Sequence, residues 1–292
     1  MSDPKLHHYV PQFYLERFTN SDGRLWVFDK KLNRKFCSSP KSLAAETKFY
    51  YISELAGTKY TPLFVEKQFS ALESSIAQIT GDWLNQLNDC KSRDQLKIPD
   101  FERSQMALFI ALQYLRTAES RSLLKIFAEN SGTVSEDELK NIHARLICDS
   151  KAVQNISKRI KQSVWIFGKN GTRRAFFTSD NPVTFMKNSN ESRKMWLKLP
   201  GILSPETCIS LPLSPTIILY CERKSLTKKL KRFNNCLSPV EFTEGMVDHE
   251  NSGQVFMSSR FIFAPTNDFE DAEIFWRGIQ NETSPTLDEM LT

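Results

Sequence analysis

The chain has 292 residues, of which 40% are hydrophobic, 11% aromatic and 25% charged, and its formal net charge is +5. This composition can supply a sizeable core, and the absence of internal repeats excludes a solenoid. The sequence has no stretch of about 18 uncharged apolar residues and no apolar signal segment at its start. We therefore expect neither secretion nor contact with a membrane.

The cysteines agree with a location in the cytoplasm. They are scattered singly and form no CxxC pair: Cys37, Cys90, Cys148, Cys208, Cys221 and Cys236. This spacing favours reduced thiols over a disulfide framework or a zinc site. We assign none of them a role.

Charge is distributed unevenly along the chain. Residues 264–292 carry seven acidic residues and one Arg, so the preceding residues carry a net charge of +11. Positive charge is concentrated in two basic stretches, residues 151–174 and residues 223–232. Such stretches indicate binding to anions, with nucleic acid as the expected partner, although a solvated surface is the alternative. The sequence does not determine the oligomeric state.

The first 61 residues contain only short predicted elements. A short helix begins at Pro11 in PQFYLERF, because proline is favoured at the start of a helix. The other segments expected here are two strands, one helical turn and a further segment: LWVFDK (25–30), KFCSS (35–39), SLAAE (42–46) and KFYYIS (48–53).

The next hundred residues are predicted to be helical. The first helix begins near Pro62 and carries an apolar stripe with steps of three and four. The stripe consists of Val65, Phe69, Leu72, Ile76, Ile79 and Trp83. It favours packing in a helical bundle, and a coiled-coil dimer is the alternative.

Two more helices complete this predicted layer. The second follows Pro99 and runs without a break to residue 129. The third covers roughly residues 136–162 and opens at Ser135, with Glu138 at the spacing of a capping box.

From Ser163 onward the pattern changes to β. The segments SVWIFGK and RRAFFTSD flank Asn170-Gly171, so we predict a hairpin over residues 163–178 that turns at this dipeptide. The remaining expected elements are two strands, a helix and a last strand: CISLPLS (208–214), TIILYCE (216–222), residues 239–256 and RFIFAP (260–265).

These elements predict an α+β fold in which a three-helix layer packs against a small, largely antiparallel sheet. We expect one compact unit over residues 1–292. Within it, residues 62–162 would form a helical subdomain and residues 163–292 an α+β subdomain. Residues 1–61 would pack across both.

Two polar residues interrupt the apolar face of the second predicted helix. At 100° per residue, Gln113 and Arg116 both lie within the arc of apolar side chains around Phe109. A buried guanidinium needs a compensating group, because an unpaired buried charge costs several kcal/mol. Arg116 therefore either belongs to a structural network, with Asp180 as the candidate partner, or binds an anionic ligand.

A pair of histidines precedes the first helix. His7 and His8 lie next to a helix N-terminus, where free backbone N–H groups favour anions. Histidine can act as an acid, a base or a metal ligand near neutral pH. In an extended segment neighbouring side chains point in opposite directions, so at most one histidine faces a given site and the other packs in the core.

A third polar group ends an apolar strand, in the segment FFTSDNPV at residues 176–183. Asp180 and Asn181 offer a carboxylate and an amide at a strand end, where catalytic groups are often carried. The alternative is a turn in which Asp180 binds local backbone groups. No motif for nucleotide hydrolysis, dinucleotide binding, α/β-hydrolase chemistry or zinc deamination is present in the sequence.

Several segments together resemble an uncharacterised bacterial family of domains of unknown function, typified by an N-terminal HHYVPQFYL and a central TSDNP. They are HHYVPQFYLERF (7–18), LQYLRTAESR (112–121), FFTSDNPV (176–183), LPLSP (211–215) and SSRFIFAP (258–265). The resemblance implies a shared pattern at His7, His8, Gln12, Gln113, Arg116, Asp180, Asn181 and Arg260. The family commonly has Arg-Thr-Pro where this chain has Arg116-Thr117-Ala118, a difference that would straighten the helix.

We hypothesise two functions from these residues. The first is a nuclease or other phosphodiester hydrolase, for example a toxin-like or phage-defence effector. His7 or His8 would act as a general base or metal ligand, and Asp180 would bind a divalent cation or orient the histidine. Arg116 would bind a phosphate oxygen.

The second hypothesis is a non-catalytic module that binds nucleic acid or an acidic partner, with a buried structural polar centre. Where the centre is a binding site, we assign the remaining polar positions to ligand binding: Gln12, Gln113, Asn181 and Arg260. The sequence does not determine a cofactor, and a divalent metal ion is compatible with it.

Overall fold

The computed structural model of the chain describes residues 6–47, 64–129, 132–188, 194–196, 207–222 and 230–281. Eight α-helices lie in these ranges. They are α1 (Gln12–Leu15), α2 (Phe64–Asp89), α3 (Asp100–Leu115), α4 (Ala118–Glu129), α5 (Glu136–Cys148), α6 (Ser150–Gln162), α7 (Glu244–Met257) and α8 (Glu270–Asn281). Among them, none combines the length and the apolar character that crossing a membrane requires.

The described strands form three sheets. They are β1 (Leu6–His8), β2 (Leu25–Asp29), β3 (Arg34–Ser38), β4 (Ala45–Thr47), β5 (Val164–Lys169), β6 (Thr178–Ser179), β7 (Thr184–Asn188), β8 (Lys194–Trp196), β9 (Thr207–Pro212), β10 (Ile217–Glu222), β11 (Cys236–Leu237) and β12 (Phe261–Ala264). The strand orders are β1-β4, β11-β5-β10-β9-β7-β8 and β3-β2-β12-β6. The pairs are antiparallel except for β11 and β5, which are parallel.

The presence of both helices and antiparallel sheets agrees with the predicted α+β class. The predicted three-helix layer is not confirmed. The second and third predicted helices are each divided, so five helices occupy this part of the chain. Arg116 leaves the helical conformation with φ −89° and ψ 2°, and the Thr117 hydroxyl then accepts the backbone N–H of Ser120 at 3.3 Å. Thr117 thus caps α4, and the helix is broken even without the proline.

Asp149 divides the third predicted helix in the same way. Its carboxylate accepts the backbone N–H groups of Lys151 and Ala152 at 2.9 and 3.2 Å, and α6 begins there. The capping box of Ser135 and Glu138 at the start of α5 is confirmed.

The apolar stripe of α2 packs as predicted. Phe69, Ile76, Ile79 and Trp83 are buried and Leu72 is partly buried, while the side chain of Val65 lies outside the described part. Trp83 contacts Trp165 and Phe167 of β5, with ring centroids 6.1 and 6.0 Å apart. These contacts join the helices to the six-stranded sheet in one hydrophobic cluster, which also includes side chains from the N-terminal region.

The predicted hairpin over residues 163–178 is wrong. Neither Asn170 nor Gly171 has the positive φ that a type I′ turn requires. Instead, the Asn170 side chain accepts two hydrogen bonds from Thr172 and donates one to the Arg174 carbonyl. The chain then leaves the sheet of β5, and β6 pairs with β12 in another sheet.

The N-terminal region differs from expectation at one place. SLAAE was predicted to form a helical turn, but Ala44 adopts a φ of +48° and the following residues form β4. The Ala44 carbonyl accepts the backbone N–H groups of Tyr9 and Val10 at 2.9 and 3.4 Å, which holds this reversal against β1. The short helix after Pro11 and the strands β2, β3, β9, β10 and β12 agree with prediction. KFYYIS lies outside the described residues.

Candidate functional site

Asp180 is buried at the end of β6 and binds the backbone that leads into β12. Its carboxylate accepts the N–H groups of Ser259, Arg260 and Phe261 at 2.8, 2.7 and 2.9 Å. Burial raises the pKa of Asp180 to about 6, although these hydrogen bonds and the positive charge of Lys30 act in the opposite direction. The carboxylate therefore accepts hydrogen bonds from three part-buried backbone N–H groups of one short segment.

Lys30 and Asn181 extend this group toward the end of α7. The buried ammonium of Lys30 donates to the carbonyls of Val255 and Ser258 at 2.8 and 2.7 Å and lies 4.2 Å from the centre of the Trp276 ring. The Asn181 side chain is also buried and donates to the Met257 carbonyl at 3.0 Å. Both side chains position the segment that Asp180 binds.

Arg260 forms a two-point contact with a buried carboxylate. Its guanidinium donates to the two oxygens of Asp29 at 3.0 and 2.7 Å, while 37% of the Arg260 side chain remains exposed. Burial opposes ionisation of Asp29, but hydrogen bonds from Arg260, Leu32 and Lys31 outweigh burial and lower the pKa of Asp29. Arg260 is thus a charged group that is held rigidly and yet reaches solvent.

Arg116 binds two acceptors on the helical side. Its guanidinium donates to Gln113 Oε1 at 2.9 and 2.6 Å and to Glu73 Oε1 at 2.6 Å, and it lies 4.9 Å from the centre of the Phe69 ring. The prediction that Asp180 is its partner is wrong, because Glu73 of α2 supplies the carboxylate. Pairing with Arg116 would also have favoured a lowered pKa for Asp180, whereas burial raises it.

Most of the predicted site residues form two groups, one with Asp180, Asn181 and Arg260 and the other with Gln113 and Arg116. Tyr9 connects the two groups. Gln113 donates to the Tyr9 carbonyl at 3.0 Å, which connects the Arg116 group to β1. Burial raises the pKa of the Tyr9 hydroxyl, the charges of Asp180 and Glu46 raise it further, and the charge of Arg260 lowers it. The Tyr9 hydroxyl is therefore within the electrostatic influence of all three charged groups.

Tyr14 fixes the N-terminal segment to the sheets. Its hydroxyl donates to the Pro212 carbonyl at 2.7 Å and so accepts from the Thr178 hydroxyl at 2.9 Å. The helix that follows Tyr9 is thereby tied to both β9 and β6.

The two histidines point to opposite sides of β1, as predicted. His7 is buried, and its Cα pairs with that of Glu46 across the antiparallel strands, so both side chains lie on one face. His8 is partly exposed and its Nε2 contacts the Lys41 carbonyl at 3.1 Å. Gln12 is exposed and donates to Glu16, one turn further along the chain.

Arg121 connects Glu46 to the helices. Its Nη1 lies 3.5 Å from Glu46 Oε1, and its Nε donates to His143 Nδ1 at 3.4 Å. His143 Nε2 must donate to the Leu115 carbonyl at 2.7 Å, which leaves Nδ1 as the acceptor in the neutral ring. Burial, followed by the charge of Arg121, lowers the pKa of His143 to about 4. His143 is therefore neutral at pH 7 and holds Arg121 in place.

The low pKa of His143 predicts an acid-sensitive contribution to stability. Below pH 6.5 the ring becomes protonated in the unfolded chain, whereas in the folded chain it stays neutral down to about pH 4. We expect the free energy of unfolding of the native chain to fall by about 2–3 kcal/mol more than that of His143→Gln between pH 7 and pH 4.5. Urea unfolding of the two proteins measures this difference.

The comparison contains its own control. Between pH 7.5 and pH 8.5 the ring is almost entirely neutral in both states, so the difference between the two proteins should stay constant. An equal acid sensitivity of the native chain and of His143→Gln would contradict the assignment of a neutral, buried ring.

Sequence reasoning missed several residues of this centre: Asp29, Lys30, Glu46, Glu73, Arg121 and His143. Lys30 and Asp29 end the apolar run of LWVFDK, a polar interruption that could have been noticed in the sequence. Glu46 could not be found, because its position opposite His7 depends on a strand that was predicted as a helical turn. Within the described ranges, no group of three or more His, Cys, Asp or Glu side chains is arranged to hold a metal ion.

Comparisons with known proteins give one result. A family model described as "Protein of unknown function (DUF4238)" matches residues 6–268. No curated protein and no solved structure matches the chain at a significant level. The matched range contains all of the polar residues described above, from His7 to Arg260.

Proposed function

The chain belongs to this family of proteins of unknown function, DUF4238, and we propose that it is a phosphodiester hydrolase, specifically a nuclease. The single observation that carries the proposal is the pairing of His7 with Glu46 across β1 and β4, beside Arg121. These residues can supply an imidazole as a general base, a carboxylate that orients it and a guanidinium that stabilises a phosphate oxygen.

Each of these groups has a role in the proposal. His7 is buried, so the attacking water must enter beside the half-exposed Glu46; there His7 acts as the general base, and Glu46 orients the imidazole from the facing strand. Arg121 and Arg260 stabilise the negative charge that develops on the phosphate oxygens. About half of the Glu46 side chain, 47%, is exposed, so this carboxylate marks the side from which a substrate approaches.

Asp180 and Arg116 have supporting roles in this proposal. Asp180 binds the backbone of Arg260, and Arg116 holds Gln113, which binds the backbone of Tyr9. They position the catalytic groups instead of touching the phosphate. Nucleic acid as the substrate is supported by the net charge of +11 on the residues before 264 and by the basic stretches 151–174 and 223–232.

Hydrolysis of labelled single-stranded and duplex DNA and RNA tests the proposal, with Mg²⁺, with Mn²⁺ and with EDTA. We expect Glu46→Gln to reduce the rate by roughly 10²–10⁴-fold, as loss of acid–base catalysis does. Its melting temperature should hardly change, because Glu46 is half exposed and its contact with Arg121 is long. Toxicity of the expressed protein, if it is a toxin-like or phage-defence effector, should disappear with the same substitution.

The matched control is Glu136→Gln, which removes the same charge from an exposed position in the first turn of α5. It should retain the native rate. Equal rates for Glu46→Gln and Glu136→Gln would remove the His7–Glu46 pair from the proposal, and an inactive native protein under every metal condition would overturn the hydrolase.

One observation favours a second candidate, a non-catalytic binding module. Both oxygens of Asp180 and all three nitrogens of the Arg116 guanidinium are engaged inside the protein. In that case the polar centre is structural, and the native chain binds nucleic acid without cleaving it. The rate measurement above distinguishes the two candidates.

A further inference from the structure

A cleft of about 420 Å³ lies where α6 ends. Its walls include Arg103, Lys161, Gln162, Ser163, Lys231 and Asn234. The volume is within the range of about 300–1,000 Å³ that is usual for ligand sites. Arg103 and Gln113 lie on the same helix, α3, and ten residues of helix place the cleft roughly 15 Å from the Gln113 group.

The cleft joins the two basic stretches of the sequence. Lys161 belongs to residues 151–174 and Lys231 belongs to residues 223–232, and both contribute to its walls. The nearby carboxylate of Asp100 binds Lys161 at 2.8 Å, but this carboxylate is 82% exposed and therefore well screened. Positive charge from separate parts of the chain thus converges on one concave surface.

Arg103 contributes a charge that its immediate partners do not cancel. Its guanidinium donates to the carbonyls of Lys161 and Ser163 at 2.8 and 2.6 Å and to Asn235 Oδ1 at 2.5 Å. It also lies 4.1 Å from the centre of the Trp165 ring. These acceptors are neutral, so they fix the guanidinium in the wall of the cleft and leave its positive field in place.

Asn234 adds a neutral donor with a fixed orientation. Its side-chain oxygen accepts the backbone N–H of Trp165 at 3.0 Å, which assigns the other side-chain atom as nitrogen. Within the part of the chain that the structure describes, this nitrogen has no hydrogen-bond partner. Cations combined with a neutral N–H donor are the groups with which proteins bind phosphate oxygens.

The surface beside the cleft favours a polymer over a single phosphate. Lys151 and Lys158 are exposed on α6 and lie about 20° apart around its axis, opposite the buried Val153, Ile156 and Ile160. This row of lysines continues from the cleft along the helix, without an acidic residue. A row of cations matches the repeated charges of a nucleic-acid backbone.

We propose that this cleft binds a phosphodiester of a single nucleic-acid strand and serves as a docking site apart from the reacting groups. The docking site depends on the proposed function only because that function makes the bound strand a substrate. Binding is therefore measured in EDTA, where it is recorded separately from hydrolysis.

Fluorescence anisotropy of a labelled single strand of roughly 20 nucleotides tests this site. Lys161→Ala and Lys231→Ala should each weaken binding several-fold between about 50 and 200 mM salt, and the double variant should weaken it further. Each substitution should also reduce the slope of log affinity against log salt by about 0.7. Lys125→Ala on α4 is the matched control, because Lys125 is also an exposed lysine with one carboxylate partner, Glu129.

Three outcomes would overturn the docking site: a native chain that does not bind the strand, a double variant that binds as tightly as Lys125→Ala, or displacement by inorganic phosphate beyond that by NaCl of equal ionic strength. The last outcome would assign the cleft to a free phosphate.

The two proposals can fail separately. Strand binding without cleavage would contradict the hydrolase alone. Cleavage and binding that are both unaffected by the double variant would contradict the docking site alone.

Discussion

Asp180→Ala should lower the free energy of unfolding by about 4 kcal/mol or more, the largest effect that we expect from a single substitution. It removes the acceptor of three part-buried backbone N–H groups, those of Ser259, Arg260 and Phe261. Each unsatisfied buried group costs about 1–3 kcal/mol. Asp180 directly follows β6, so loss of these hydrogen bonds also weakens the contact between the end of β6 and the start of β12.

Asp180→Asn is the informative companion of this variant. An asparagine oxygen can keep the two hydrogen bonds from Arg260 and Phe261, but its amide nitrogen then faces the Ser259 N–H. We expect a loss of about 1–3 kcal/mol, between the native chain and Asp180→Ala. Urea unfolding at pH 8 measures both, because the carboxylate is ionised well above its pKa of about 6.

These two values decide how activity data at Asp180 are interpreted. If Asp180→Ala keeps the native stability, the three hydrogen bonds do not hold the segment and a direct role for the carboxylate becomes the better explanation. If stability falls as expected, any loss of activity reflects displacement of Arg260 and its neighbours.

Local patterns predicted most elements, and tertiary contacts explain the errors. The stripe of α2 and the capping box of Ser135 depend on neighbouring residues, so both could be read from the sequence. The absence of the hairpin could not be predicted in this way. The Asn170 side chain forms its hydrogen bonds within its own loop, and the segment that follows pairs with β12, which is distant in the sequence. The helix break at Thr117 depends on a hydroxyl that accepts a backbone N–H, which apolar periodicity does not report.

The candidate site shows the same division. Gln113 and Arg116 were recognised because polar groups on an apolar face need partners, and both are buried. Their partners were not recognised, since Glu73 lies on another helix and the Tyr9 carbonyl is a backbone group. Among the contacts described, the Asp180 carboxylate accepts hydrogen bonds only from backbone N–H groups. A pattern of side chains in the sequence cannot identify such donors.

Arg116→Ala is the second substitution with a large expected effect. It removes the guanidinium from Gln113 and Glu73, and the Gln113 side chain then loses the group that fixes its hydrogen bond to Tyr9. Breaking a buried ion pair costs about 3–5 kcal/mol. We expect the lower end of this range, because a quarter of the Glu73 side chain is exposed and its charge can be hydrated.

Arg116→Lys should recover less than half of that loss. The guanidinium donates to Gln113 from two nitrogens and to Glu73 from the third, whereas an ammonium is a single point that cannot reproduce this planar geometry. A double-mutant cycle with Glu73→Gln measures the ion pair itself, and we expect a coupling energy of about 1–3 kcal/mol. Unfolding in urea supplies all of these values.

The same variants separate a structural arginine from a ligand-binding one. A ligand-binding arginine would lose activity or anion binding on replacement by alanine while the melting temperature stayed nearly constant. With Glu73 and Gln113 as partners, we expect the melting temperature of Arg116→Ala to fall and that of Arg116→Lys to fall less. A native melting temperature for Arg116→Ala, together with zero coupling to Glu73, would contradict the structural assignment and return Arg116 to the phosphate-binding role.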